Sequence, residues 1–228
     1  MRGYQCGQVW GSALAAGAQA YRRYGSGSKA QTAAIIAARR IVESFAARNG
    51  SVDCRTITDT DFRQKGQVLR YFLKNGVKCF RIAAQYAPVA FDEIETALAE
   101  EPTESPAPPV GCAAVLAQRL GASDLHTVMA SGFAGGIGLS GNGCGALGAA
   151  VWITDINDRK RGTEKVGFVN PRLTELIDRF AARTDGAFAC SAITGRRFAT
   201  IADHAAYLRD GGCAEIIELL AATGPTGH

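Results

Sequence analysis

Apolar positions recur at helical spacing over most of the chain, and little of it alternates as a half-buried strand would. The run from Ala30 to Arg48 is rich in alanine and carries Ile35, Ile36, Ile41, Val42 and Phe45 at that spacing, which predicts a helix. Phe91 to Ala99 predicts a short amphipathic helix, and Ser123 with Asp124 starts another that ends in a glycine-rich stretch. Pro171 suits the first turn of a helix through Leu173, Leu176, Ile177 and Phe180. Cys213 opens a last helix through Ile216, Ile217 and Leu220. The stretch after Arg2 is apolar and leads to Ala18-Gln19-Ala20, the outline of a secretory signal. Gly11 and Ser12 interrupt it, however, and its pattern recurs deep in the chain, so it reads as a structural helix. The expected fold class is all-α.

The recurrence organises the rest. FAARNGSVDCRTITDTDF (Phe45 to Phe62) matches FAARTDGAFACSAITGRRF (Phe180 to Phe198), and the Cys-Gly start at Cys6 matches that at Cys144. Tyr71 stands ahead of Cys79 as Tyr207 stands ahead of Cys213. Cys6 to Cys54 spans 48 residues and Cys144 to Cys190 spans 46; the next intervals are 25 and 23. Such register implies an internal duplication. Four prolines fall within residues 101–110, the expected linker. The chain thus divides into a first unit (1–100) with three cysteines, the linker, and a second unit (111–228) with four. The second also carries the glycine-rich segment, for which the first has no counterpart.

Composition narrows the functional classes. The 228 residues suffice for a substantial core, and with 47% hydrophobic residues the chain is not a disordered one. The net charge of +4 is mild, and the basic pairs Arg22-Arg23, Arg39-Arg40, Lys160-Arg161 and Arg196-Arg197 are scattered. They read as solvated helix faces rather than a nucleic-acid footprint. No apolar run is long enough to span a membrane. The seven cysteines form no C-x-x-C pair, and their odd number argues against a secreted disulfide framework. Reduced or metal-bound thiols in a cytoplasmic setting fit better.

The glycine-rich stretch SGFAGGIGLSGNGCGALG (Ser131 to Gly148) contains a literal G-x-G-x-x-G at Gly136, Gly138 and Gly141. A dinucleotide site would need a strand before it; a helix end precedes it instead. The alternative is that the glycines serve Cys144. A helix N-terminus offers unpaired N–H groups that stabilise a thiolate, and Gly135, Gly136, Gly138, Gly143 and Gly145 could bring backbone N–H groups to a cofactor. Cys112 and Cys213 also fall at expected helix starts. Four thiolates suit a tetrahedral zinc, an iron–sulfur cluster or a pair of redox dithiols. His126, His204 and His228 add no clear ligand, and Trp10 and Trp152 read as core.

The combination Gly111-Cys112-Ala113, SGFAGGIG (Ser131 to Gly138), Cys144-Gly145-Ala146, Cys190 and Cys213 resembles the C-GCAxxG-C-C family of proteins described as redox-active. The pattern departs at Ala149, where a glycine closes the motif, and in the first unit at Gln8, where an alanine stands in the motif. The resemblance implies a small helical cytoplasmic protein with redox-active cysteines. A similar domain in the split-Soret cytochromes c holds an iron–sulfur centre, which favours a cluster over zinc.

The expectation is therefore a redox-active electron-transfer protein in which Cys112, Cys144, Cys190 and Cys213 bind an iron–sulfur cluster, [2Fe–2S] first among the types. Cys6, Cys54 and Cys79 are candidate ligands of a second site, completed from elsewhere. A redox partner protein is expected, with neither nucleic acid nor membrane, and a homodimer is compatible with the pattern. The alternatives are a thiol–disulfide oxidoreductase with Cys144 as a low-pKa catalytic nucleophile, and a zinc-stabilised interaction module.

Overall fold

Alanine and glycine set how closely the helices of this chain approach one another. The computed structural model describes residues 5–100, 102, 106–162 and 170–222, so most of the proline-rich linker's first half and His228 lie outside the described residues. The first half forms α1 (Gly7–Tyr24), α2 (Ser28–Asn49), α3 (Cys54–Thr58), α4 (Lys65–Asn75) and α5 (Lys78–Ala99). The second forms α6 (Cys112–Arg119), α7 (Asp124–Ser131), α8 (Gly145–Lys160), α9 (Pro171–Arg183), α10 (Cys190–Thr194), α11 (Ile201–Arg209) and α12 (Ala214–Ala221). The protein is all-α: among the described residues no strand occurs, only two isolated bridges. No described helix is long and apolar enough to cross a membrane.

The alanine stripe of α2 (Ala30, Ala33, Ala34, Ala37 and Ala38) continues into Ile41, Val42 and Phe45 and is buried. It packs against Val9, Ala13, Ala16 and Ala20 of α1. Small side chains let backbones come close, and α7 uses the same device: a Cβ at Gly17 would overlap the backbone of Met129. α7 thus lies on α1 and α2, and residues of both halves share one core. α6 packs on α7, α8 and α12, and α12 on α9.

The start signals act as their chemistry dictates. The Ser123 hydroxyl accepts from His126 N–H, Asn170 Oδ1 accepts from Leu173 N–H ahead of which Pro171 fills the first turn, and Thr200 Oγ1 accepts from Asp203 N–H at 3.0 Å. One element is longer than its pattern indicates. The amphipathic helix expected from Phe91 begins at Lys78 and passes through Pro88. Pro88 cannot donate to the Ala84 carbonyl, but both residues are on the exposed side, where water can take the freed acceptor.

The helices α1 to α5 recur in order as α8 to α12, with the same local bonds. Gln5 bridges Asp53 as Gly143 bridges Ala189. Cys6 N–H donates to Val52 O at 2.7 Å, and Cys144 N–H to Phe188 O at 2.7 Å. The Thr58 hydroxyl donates to Cys54 O and that of Thr194 to Cys190 O. The ring centroids of Phe62 and Tyr71 are 5.3 Å apart and those of Phe198 and Tyr207 5.1 Å. α6, α7 and the glycine-rich loop have no counterpart among the described residues of the first half.

Candidate metal centre

Every cysteine stands where a helix begins. Cys6, Cys144 and Cys213 are the N-caps of α1, α8 and α12. Cys54, Cys112 and Cys190 are the first residues of α3, α6 and α10, and Cys79 is the second of α5. All seven are free thiols. The bridge beside Cys144 and Cys190 holds two of these helix starts against each other, and its equivalent does so for Cys6 and Cys54.

In the second half the four thiols feel one another. Burial pushes Cys144 up to about 12, and the charges of Cys112 and Cys213 add to it. Burial also raises Cys190, whose thiol senses Cys112, Cys144 and Cys213, and raises Cys213 to about 12 with a contribution from Cys112. Cys112 is raised by burial against backbone N–H groups of Gly135, Ala113 and Ala146 that pull the other way. The Ala146 amide serves both Cys112 and Cys144, and Leu147 adds a second amide to Cys144. The expected helix-terminal donors are therefore present, but burial outweighs them. Burial thus holds the Cys144 thiol above its ordinary value. A cleft of about 430 Å³ opens on Cys213 and Tyr207, which makes Cys213 the approachable thiol of the four.

The first half repeats this with three. Cys54 is raised by burial and by Cys6 and Cys79; Cys6 is raised by burial and by Cys79, against amides of Gln8 and Val9. Gln8 occupies the position of Ala146. Its Nε2 donates to Cys79 O at 3.0 Å, and its Oε1 is buried without a partner among the described residues. Sequence reasoning noted Gln8 as a departure from the motif but not that it reaches the third cysteine. Among the described residues, no three His, Cys, Asp or Glu side chains are grouped closely enough to hold one ion as they stand.

The glycines divide into two groups. Gly135, at φ +59°, turns its amide onto Cys112. Others allow backbones to meet: a Cβ at Gly138 would overlap Arg39, one at Gly145 the Phe133 carbonyl, and one at Gly136 the backbone of Asn142. Gly143 is held by Gln5, whose Oε1 accepts its amide at 3.0 Å, and lies under Trp10. His126 meets the Trp152 ring, and His204 is buried against Phe198.

Residues 111–223 carry the four-thiol group, and they match the family described as "Putative redox-active protein (C_GCAxxG_C_C)"; through them the chain belongs to that family. No curated protein and no solved structure matches the chain.

Proposed function

We propose that Cys112, Cys144, Cys190 and Cys213 hold an iron–sulfur cluster, [2Fe–2S], and that the protein transfers electrons through it. The observation that carries this reading is mutual: four thiols from four separate helix starts each raise, or are raised by, the others. Four thiolates cannot gather in a buried site without a compensating cation, and iron bound there would supply that charge. When bound, the cluster supplies one-electron chemistry, tuned by hydrogen bonds to sulfur and by burial. The chain's part is to hold the sulfurs, to aim the amides of Gly135, Ala146 and Leu147 at them, and to keep water from all but the Cys213 side. Cys6, Cys54 and Cys79 form the corresponding group in the first half, with the buried, unpartnered Gln8 Oε1 a protein candidate for a missing fourth ligand.

Anaerobic purification tests the proposal. Iron and sulfide should co-purify with visible bands that dithionite bleaches. Cys144→Ser should abolish the second-half centre, while Ser131→Ala should leave the spectrum unchanged. A colourless protein with stoichiometric zinc would instead make it an interaction module. A colourless, metal-free protein with reversibly cycling thiols would make it a thiol–disulfide oxidoreductase.

A further inference from the structure

The two halves differ in what covers the helix that carries the tyrosine they share, Tyr71 or Tyr207. Tyr71 of α4 matches Tyr207 of α11, so Leu69 matches Ala205. Ala205 is fully buried, and its helix is roofed: Val110, Leu139 and Ile35 cluster with Phe198, Ile201 and Tyr207, and the buried His204 ring packs against Phe198. Among the described residues, the first half has no equivalent of Val110 or of the Leu139 loop. There Leu69, Phe72, Leu73, Val77 and Phe80 are each between 62% and 78% exposed. With Phe91 on the same helix as Phe80, they offer on the order of 700 Å² of apolar side chain. That exceeds the largest patch of an ordinary monomer and approaches the ~800 Å² per partner of a standard interface.

Charge selects the occupant. Residues 62–91 contain six basic residues and no acidic one, although the chain as a whole is only +4. Lys65, Arg70, Lys74, Lys78 and Arg81 are exposed around the apolar residues, and none forms an ion pair among the described residues. A second copy would bring the same five cations against them, which like-charge repulsion disfavours. Apolar side chains of this chain's own loops cover the matching face of the second half, so an apolar protein surface is the fitting cover here.

We propose that the face formed by α4 and the start of α5 is the docking surface for a protein partner with an apolar centre ringed by Asp and Glu. It seats over the three-thiol group, since Cys79 lies between Val77 and Phe80 and accepts a hydrogen bond from the buried Tyr71. That this partner exchanges electrons with the chain rests on the redox reading above; the docking does not.

The test uses the full chain, with a benzophenone amino acid in place of Leu73, expressed in its native cells. The expected product is a covalent adduct with one protein whose cross-linked face is acidic. That protein, purified, should bind the unmodified chain at least tenfold more weakly at 500 mM than at 50 mM salt. Binding should also fall at least tenfold in the triple variant Arg70→Glu, Lys74→Glu, Arg81→Glu, and in Phe80→Ser, with unfolding midpoints unchanged. Adducts with a second copy, adducts with lipid only, no adduct, or binding indifferent to charge reversal would each overturn the proposal. Docking that persists in a chain found to carry no cluster would leave this surface standing and remove the cluster reading alone.

Discussion

Tyr71 donates its hydroxyl to Cys79 Sγ at 2.9 Å, and Tyr207 holds the matching place beside Cys213, where its hydroxyl pulls the thiol down. Each tyrosine ring packs against a phenylalanine, Phe62 or Phe198, which fixes where its hydroxyl oxygen stands. A donor to sulfur stabilises the thiolate, and at Cys213 Tyr207 opposes the upward push of burial. The reciprocal effect is visible at Tyr71, held at about 12 by burial and by the thiol it serves.

Tyr207→Phe keeps the ring and removes this donor. A hydrogen bond to a charged group contributes about 1.5–3 kcal/mol, so the thiolate fraction of Cys213 should drop about tenfold or more. Iodoacetamide labelling of the reduced, metal-free protein at pH 8, read at Cys213 by mass spectrometry, checks this. Equal labelling rates in variant and parent would show that Tyr207 does not act on the thiol.

Two glycines separate close packing from backbone conformation. Gly145→Ala places a Cβ against the Phe133 carbonyl at the start of α8, where neither backbone can yield without moving Cys144. Its cost should be about 3–5 kcal/mol. Gly195→Ala meets nothing within 4 Å but sits at φ +72°, so about 1–2 kcal/mol is expected. Urea unfolding of both variants gives the comparison, and comparable losses would contradict it.

The same contrast shows what the sequence could and could not carry. Helical period and capping residues are local, and α2, α7, α9 and the helix starts at Cys6, Cys112, Cys144 and Cys213 are legible from them, whereas those at Cys54, Cys79 and Cys190 are not. The extension of α5 through Pro88 was not, because it depends on which side of the helix meets water. Gly138 and Gly145 read equally well as donors to sulfur or as packing devices until Arg39 and Phe133 were seen against them. The level of the Cys144 thiol is hidden for a related reason: a helix start is readable from sequence, whereas the burial that outweighs it is set by distant residues.

His204 gives the fold an acid-side weakness. It is 1% exposed, and burial lowers it to about 4 from 6.5, so the folded protein keeps it neutral where the unfolded chain would protonate it. Stability should fall as pH drops from 6.5 towards 4, by roughly 3 kcal/mol across that window. Unfolding followed from pH 7.5 to 5 should show the decline in the parent, and His204→Gln should flatten it. A decline of equal size in His204→Gln would assign the effect elsewhere.

The thiols set the opposite limit. Cys144 and Cys213 rise from 9.0 to about 12, and Cys112 and Cys190 also rise. Below pH 9 both folded and unfolded chains hold these protons, and the stabilisation is complete. Above it the unfolded chain releases them while the folded chain retains them, so stability is lost as pH climbs towards 12. Each such thiol contributes a slope of about 1.4 kcal/mol per pH unit in that range. Urea unfolding of the reduced, metal-free protein between pH 7 and 10.5 should therefore steepen beyond pH 9, and Cys144→Ala should remove about one proton's worth of slope. Loading with iron and sulfide should abolish the dependence, because ligated sulfurs carry no proton to lose. A metal-free protein equally stable at pH 7 and 10.5 would mean that the four thiols are not buried together.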